Sequence, residues 1–330
     1  MLGVRRHQKD CPQDRGTLGV QANGIVSTHM YSPFDAESLL AAARGLPQGN
    51  DAVWHRRLII WKEPATWMPA LTAWLSRYFR ADAMQRLRPN VFRDICWDDT
   101  HWLDVLARSL KDPVEYRTND LADALLASVI RTYHGCRTHD AGTYFRNGLL
   151  VHRKEQLKAR ALSIIKTHPE LHYMQAQLDE AIARIDNTID DGKCYVAVSD
   201  EGLLDQAAHY LIYGSEWIMA LFKDDGRSIL RKIGAPTLIE IDLPFSTTHN
   251  SDRHELAKHM LREWTRLACN GQEWVAPINC TFFLAKDVPG ECIVGHTHPA
   301  ILRDPLDRER IYRSPVTTCK YCNGNPEIIQ

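Results

Sequence analysis

Two patterns of hydrophobic and polar positions follow one another along this chain. In the first 124 residues, apolar side chains recur at three- and four-residue spacing, as at Trp67, Leu71 and Trp74, which is the spacing of one helix face. Later, short apolar runs replace this pattern, and 237–243 alternates residue by residue as a half-buried strand does. Helices first and short strands afterwards predict an α+β fold rather than a series of β-α-β units.

Shorter stretches of the same kind predict the remaining elements. The apolar run 125–132 fits either a buried strand or a helix end, and a turn is expected behind it at His134-Gly135. A helix-like run then closes at Gly148, where a helix C-terminal glycine belongs. The other predicted elements are strands over 194–198, 281–285 and 292–294, helices over 203–222 and 253–269, and a helical insertion over about 151–190.

The N-terminal region, residues 1–124, is predicted to be helical and is dense in tryptophan. It holds six of the nine tryptophans, namely Trp54, Trp61, Trp67, Trp74, Trp97 and Trp102. Amphipathic helices usually bury such side chains, so core packing is the first expectation. The alternative is an exposed aromatic surface that holds a partner or an unstacked base. Residues 1–30 are mixed and polar, which predicts a loosely held terminus.

Composition limits the classes of protein to which the chain belongs. A length of 330 residues with 44% hydrophobic content is that of a globular protein with a substantial core. The formal net charge of −1 provides no overall field that attracts nucleic acid, although a local basic patch stays open. Nine cysteines and no apolar segment behind the N-terminal charges predict free thiols in a reducing cytoplasm and no membrane span.

Three short stretches carry the candidate chemistry. They are Tyr133-His134-Gly135-Cys136-Arg137-Thr138, Gly192-Lys193-Cys194-Tyr195-Val196-Ala197-Val198-Ser199 and Val288-Pro289-Gly290-Glu291-Cys292-Ile293-Val294. In this order they resemble the ADP-ribosyltransferase superfamily, and most closely its branch with a His–Tyr–Glu triad, which includes the poly(ADP-ribose) polymerases. The resemblance covers roughly residues 125–300. It implies a mixed-sheet catalytic domain over 125–330, placed behind the helical N-terminal region.

The resemblance implies that NAD is the consumed donor, and it assigns binding roles to the first two stretches. In the family the histidine, here His134, contacts the adenosine ribose, and the backbone of the glycine, here Gly135, bonds the nicotinamide carboxamide. Tyr195 is then expected to stack on the cationic nicotinamide ring. Tyr210 or Tyr213 closes the other side of that ring.

The remaining roles concern charge. Cleavage of the bond between ribose and nicotinamide develops positive charge on the sugar carbon, as glycoside cleavage does. Glu291 is therefore the expected catalytic carboxylate, which holds a ribose hydroxyl and stabilises that charge. Arg137 is the candidate for the pyrophosphate, because a guanidinium binds phosphate oxygens well, and Thr138 is grouped with it in the NAD site.

The acceptor is expected to be a macromolecule. Arginine-modifying members of the family carry Glu or Gln two residues before the catalytic glutamate, and Pro289 offers no side-chain acceptor there. Transfer to arginine is therefore disfavoured. The basic helix 152–160 and the tryptophan-rich helices could hold a strand, which favours RNA or DNA over protein. The N-terminal region supplies target choice, binds a regulatory protein or packs on the donor domain, and toxin, phage-defence and regulatory roles all fit the resemblance.

No metal is assigned to the NAD site, although Cys319 and Cys322 have the spacing of half a zinc site. Four residues could complete such a site: Cys280, Cys292, His296 and His298. The competing hypothesis is a non-enzymatic module, stapled by zinc, that holds protein or nucleic acid. Glu291 separates the two hypotheses, because only the enzyme needs a free carboxylate.

Overall fold

The computed structural model describes residues 34–47, 52–88, 94–185, 192–271 and 274–324. Over these ranges the chain is a mixed α+β protein, as the order of helical and strand patterns predicts. The loosely held terminus predicted for residues 1–30 lies outside the described residues. No helix in the described part of the chain has both the length and the apolar composition needed to cross a membrane.

Helices occupy most of the described chain. In order they are α1 (Ala36–Ala43), α2 (Pro64–Leu75), α3 (Ala83–Arg86), α4 (His101–Ser109), α5 (Val114–Ala124), α6 (Gly142–Asn147), α7 (Lys154–Thr167), α8 (Leu178–Arg184), α9 (Asp200–Leu204), α10 (His209–Ile212), α11 (Glu216–Leu230), α12 (Asn250–Asn270) and α13 (Lys320–Gly324). The strands are β1 (Leu58–Ile59), β2 (Val129–Thr138), β3 (Cys194–Ala197), β4 (Ala235–Pro244), β5 (Thr281–Leu284), β6 (Ile293–Thr297), β7 (Ile301–Asp304) and β8 (Arg310–Arg313).

One six-stranded sheet organises the fold. Its order is β5-β3-β2-β4-β6, with β1 beside the start of β2. The pairs are antiparallel except for β1 with β2, so the sheet is mixed, as predicted. Strands β7 and β8 form a separate hairpin. The most extensive ladder joins β2 to β4 over ten residue pairs and forms the centre of the sheet.

Each face of the sheet packs into a different hydrophobic cluster. Ile130 and Cys136 of β2 point into a cluster with the N-terminal helices and α12. Tyr133, on the alternate side of the same strand, packs against a cluster built from α7, α8, α10 and α11. The sheet is thus the middle layer of three, and side chains on β2 and β3 reach one or other face according to their position.

The N-terminal region shares the first of these clusters. Trp54, Trp61, Trp67 and Trp74 are each no more than 2% exposed, so the core-packing expectation is confirmed for them and they offer no surface on which a base could stack. The indole of Trp61 donates to the carbonyl of Ala276 at 3.0 Å. Because β1 also pairs with β2, the region before residue 125 is continuous with the sheet and packs on it.

Most of the predicted later elements are present, with two corrections. The helix predicted over 203–222 is divided into α9, α10 and the start of α11, since Gly214 adopts a φ of +90° between the last two. The turn predicted at His134-Gly135 is wrong. Both residues lie within β2, opposite Ile239 and Leu238 of β4, because ladder pairing on that edge keeps the strand extended.

Candidate functional site

The strand β2 has one open edge, and the first motif lies along it. On one side, β2 pairs with β4 from Val129 to Thr138. On the other side, among the described residues, it pairs with β1 at its first two residues and with β3 at Tyr133 alone. The backbone from His134 to Thr138 therefore extends past its β3 ladder. Such an edge presents N–H and C=O groups that can bind an extended ligand.

The side chain of His134 connects β2 to β3 beyond the residues at which the two strands pair. Its Nδ1 lies 3.0 Å from the carbonyl oxygen of Tyr195, and since a carbonyl only accepts, Nδ1 carries the proton. The other ring nitrogen, Nε2, is then a hydrogen-bond acceptor, which suits a sugar hydroxyl. Burial lowers the pKa of His134 to about 4, so the imidazole is neutral at physiological pH.

The neutral state of His134 predicts a pH dependence of stability. Its pKa in the folded chain lies below the ordinary value of about 6.5, so below that pH the unfolded chain binds a proton that the folded chain does not. Stability is therefore full above about pH 6.5 and falls as the pH drops towards 4. Denaturant unfolding at pH 7.5 and pH 5 measures this, and His134→Asn should reduce the slope. An unchanged slope in that variant would contradict the assignment.

The two tyrosines lie on the opposite side of the sheet from the His134 ring. Tyr195 is 45% exposed, and its ring is 5.7 Å from that of Phe283. A Cβ built on Gly135 would meet the Cβ of Tyr210 at 3.4 Å, so Tyr210 packs directly over the glycine on this face. Gly135 therefore lies beside Tyr210, one of the tyrosines that the resemblance assigns to the nicotinamide ring. The structure also places Tyr213 in this region, but buried, with its hydroxyl donating to Asp304.

Arg137 does not contribute to an NAD site, which corrects the expectation from the sequence. Its side chain is 4% exposed. The guanidinium donates to four backbone carbonyls and to one tyrosine hydroxyl: Ile233, Leu211, Ile212, Gly234 and Tyr312. These contacts join β2 to the segments around α10 and β4 and to β8. Arg137 is therefore structural, because its donors are directed into the protein.

Thr138 is likewise engaged inside the fold. Its hydroxyl accepts from the backbone N–H of Asp140 at 3.1 Å and lies 3.2 Å from the carbonyl of the same residue. This pattern closes the turn that follows β2. The hydroxyl is a turn-forming group in this structure, and the NAD-binding role expected for Thr138 has no support from its contacts.

Arg160 is an exposed cation at this edge, and the family pattern does not single it out. It projects from α7, and its Nη2 lies 3.4 Å from the carbonyl oxygen of Arg137. Its charge also lowers the pKa of His152, after the larger effect of burial. The sequence marks it only as one of several basic residues on a helix, because its approach to β2 depends on how the insertion packs.

Glu291 is exposed in a short 3₁₀ turn, Gly290–Cys292, directly before β6. A Cβ on Gly290 would overlap the carbonyl oxygen of Phe145, so this turn packs closely on α6. Since β4 separates β2 from β6, the backbones of β2 and β6 are about 10 Å apart at the usual strand spacing. An NAD molecule is long enough to extend across that interval.

Two of the motif stretches contact one short segment, Gly148–His152, and His134 of the remaining stretch contacts the carbonyl of Tyr195. Leu149 exchanges two backbone hydrogen bonds with Val288, at 2.9 and 2.8 Å. On the other side, His152 donates to the carbonyl of Lys193 at 3.2 Å and accepts from Gly192 at 2.6 Å. The segment itself follows the His134 stretch through α6. It therefore brings the stretches that carry His134, Tyr195 and Glu291 into one neighbourhood.

A separate group of potential metal ligands lies beyond Glu291. Among the described residues it consists of His296, His298, Cys319 and Cys322, whose ligand atoms all lie within 4.8 Å of one another. Of the four partners considered for the Cys319-Cys322 pair, only the two histidines belong to this group. Comparison of the chain with protein-family models, with curated proteins and with solved structures finds no match.

Proposed function

We propose that this protein transfers ADP-ribose from NAD to a macromolecular acceptor. The observation that supports the proposal most strongly is the meeting of the three motif stretches around the open edge of β2. Lys193 and Val288, which are about 95 positions apart in sequence, contact the same segment, Gly148–His152, and His134 contacts the carbonyl of Tyr195. A chance likeness of three short motifs would not require them to be neighbours.

The donor binds at this edge and reaches both faces of the sheet, through backbone and ring contacts. The backbone of Gly135 bonds the nicotinamide carboxamide, where β2 has passed its pairing with β3. Tyr195 and Tyr210 enclose the ring, and the attraction between a cationic pyridinium and a π face stabilises it. The Nε2 lone pair of His134 accepts from a ribose hydroxyl, since Nδ1 is occupied by the Tyr195 carbonyl.

The reaction separates charge at the nicotinamide ribose. The bond between C1′ and the ring nitrogen breaks, its electron pair stays on that nitrogen, and neutral nicotinamide leaves. Glu291 stabilises the positive charge that develops on the ribose and holds a ribose hydroxyl. An acceptor oxygen or nitrogen then bonds to C1′ and loses its proton to solvent.

Arg160 takes the pyrophosphate in place of Arg137. It is exposed and reaches the edge of β2 next to Arg137, and a charge-assisted contact of this kind is worth about 1.5–3 kcal/mol. We expect Arg160→Ala to raise KM for NAD by roughly tenfold or more with a small change in kcat. Lys154→Ala, an exposed cation on the same helix, is the control. Equal KM values for Arg160→Ala and Lys154→Ala would exclude this role.

The proposed acceptor is a nucleic acid, as expected from the sequence, but it is bound by a surface other than the tryptophan side chains. The buried tryptophans at 54, 61, 67 and 74 cannot stack on bases. An open cavity of about 250 Å³ instead lies beside α3 and α4, lined in part by Arg86, Arg88, His101 and Arg108. The three arginine side chains suit a phosphate backbone. Pro289, which precedes the Glu291 turn, still offers no group to orient an arginine acceptor.

Labelling identifies the acceptor directly. The purified protein is incubated with cell extract and NAD labelled in its adenylate phosphate, and the products are separated into protein, RNA and DNA. We expect label in nucleic acid, with mass spectrometry locating ADP-ribose on a base or a terminal group. Label on arginine side chains would contradict the interpretation of Pro289. Label confined to other protein residues would exclude a nucleic-acid acceptor and leave the donor chemistry intact.

A further inference from the structure

Two histidines and two cysteines converge between the edge of the central sheet and the last helix. His296 lies on β6 and His298 follows it, while Cys319 and Cys322 lie at the start of α13 and within it. The two sulfur atoms are 3.8 Å apart. The Nε2 atoms of His296 and His298 lie 3.0 and 3.5 Å from the sulfur of Cys322.

Two of these distances fit a tetrahedral metal site, and the third, from His296 to Cys322, is shorter than such a site requires. Around one zinc ion, bond lengths of about 2.3 Å to sulfur and 2.0–2.1 Å to imidazole place two sulfurs roughly 3.8 Å apart and a nitrogen and a sulfur roughly 3.5 Å apart. The Cys319–Cys322 and Cys322–His298 distances match these values. A disulfide does not explain the pair, because its sulfurs would be about 2.05 Å apart.

The ring of His298 is oriented for coordination. Its Nδ1 lies 2.9 Å from the carbonyl oxygen of Pro236 and 3.0 Å from the hydroxyl of Thr237. The carbonyl can only accept, so Nδ1 is protonated and Nε2 presents its lone pair to the cysteines. A carbonyl behind the ring in this way is the usual support of a metal-bound histidine.

The ring of His296 is held by aromatic neighbours. Its centroid lies 5.8 Å from that of Phe145 and 5.7 Å from that of Tyr321, both in edge-on contact. Phe145 and Tyr321 also stack on each other at 5.0 Å. The two cysteines are buried and the two histidines are partly exposed, and a structural site with four protein ligands needs no open position for water.

We propose that His296, His298, Cys319 and Cys322 bind one structural Zn²⁺ ion, an inference that is independent of the proposed transferase activity. Binding releases the two thiol protons, so two thiolates neutralise the dication. Thiolate and imidazole ligands favour zinc over the hard cations Mg²⁺ and Ca²⁺. With four protein ligands the ion has no open position for a substrate, and its role is to hold the fold.

The ion would fasten the C-terminal helix to both sides of the candidate site. Beyond the four ligands, Lys320 donates its backbone N–H to the carbonyl of His139 at 2.9 Å, and the N–H of Ala141 lies 3.4 Å from the sulfur of Cys319. These contacts reach the segment just after β2, and β6 follows Glu291. Zinc therefore crosslinks α13 to β6, the strand that follows Glu291, and the hydrogen bonds of Lys320 and Cys319 hold the same end of α13 to the turn before α6.

Metal analysis of the full-length protein, purified under reducing conditions without chelator, tests the assignment. We expect about one zinc per chain in the wild type, and less than about 0.2 in Cys319→Ser and Cys322→Ser, because a four-ligand site of this kind loses its closed coordination with either change. Cys292→Ser is the matched control and should keep its zinc. Cobalt reconstitution should give thiolate-to-cobalt charge-transfer absorption in the wild type and in the control.

Chelation of the wild type keeps the test decisive if the serine variants fail to fold. A strong chelator should remove one zinc per chain, make two additional thiols reactive and lower Tm by roughly 5–10 °C. Background zinc in the reconstituted wild type would overturn the proposal. So would one zinc per chain in both serine variants, or a Tm and a thiol count that chelation leaves unchanged.

Discussion

Glu291→Gln is expected to abolish nicotinamide release while NAD binding survives. The amide keeps the size of the side chain in the turn Gly290–Cys292 but removes the negative charge that the positive ribose needs in the transition state. An interaction made mainly in the transition state lowers kcat rather than affinity when it is lost. We expect a decrease in kcat of about a hundredfold or more, with the dissociation constant for NAD within about threefold of the wild type.

The control for this change is Glu180→Gln, which alters an exposed carboxylate on α8, away from the three motif stretches. It should leave kcat unchanged, and both variants should have wild-type circular dichroism. Full turnover by Glu291→Gln would contradict the proposal that Glu291 is the catalytic carboxylate of a transferase. A loss of both turnover and NAD binding would instead give Glu291 a structural role.

Gly148→Ala is expected to destabilise the protein by about 3 kcal/mol or more. Gly148 adopts φ +77° and ψ −169°, a region that only glycine occupies readily. A Cβ there would also overlap the carbonyl oxygen of Val288, which is the residue that pairs with Leu149. Because this segment joins the stretches that carry Tyr195 and Glu291, nicotinamide release should fall together with stability. Denaturant unfolding and a turnover assay measure both.

Gly202→Ala is the matched control for that prediction. Gly202 lies in α9, and a Cβ there would meet nothing within 4 Å. Alanine is the better helix former, so stability should stay within about 0.5 kcal/mol of the wild type or rise. A Gly148→Ala protein as stable as Gly202→Ala would contradict this prediction. It would show that the segment Gly148–His152 tolerates a side chain at Gly148, so that close packing on Val288 would not explain why the motif stretches are neighbours.

Elements whose pattern repeats over several residues could be predicted from the sequence. The alternation at 237–243 gives β4, and the helical spacing over 253–269 gives α12. The glycine end of α6 at Gly148 is likewise confirmed. In each case the local pattern and the tertiary packing favour the same structure, since the apolar positions of these elements face the core.

Tertiary pairing explains the elements that the sequence did not predict. A histidine-glycine pair has turn-like composition, yet β4 pairs with both residues and keeps β2 extended. Arg137 looks like a phosphate ligand in its motif, but the loops around it supply enough carbonyls to bury the guanidinium. The two-residue strand β1 is too short to have a periodicity of its own. Each of these outcomes depends on tertiary contacts, so the neighbouring residues in the sequence do not predict it.

The proposed metal ligands were also predicted only in part, because the local sequence indicates two of them and tertiary packing selects the other two. The spacing of Cys319 and Cys322 indicates half of a zinc site, and that half is visible in the sequence. The choice between the four candidates for the other half depends on which strand lies beside α13. Folding brings β6 there, so His296 and His298 complete the group. Cys280 is buried in the main core instead.

Hydrogen–deuterium exchange with and without NAD tests most directly whether the edge of β2 and the tyrosines beside it form the donor site. The Glu291→Gln protein keeps the bound NAD intact during the measurement. We predict slower exchange at saturating NAD in peptides that cover 134–138, 194–198 and 203–213, because the donor contacts the edge of β2 and the tyrosines beside it. Unchanged exchange in all three segments, or protection confined to the groove around Arg86 and Arg108, would contradict the account.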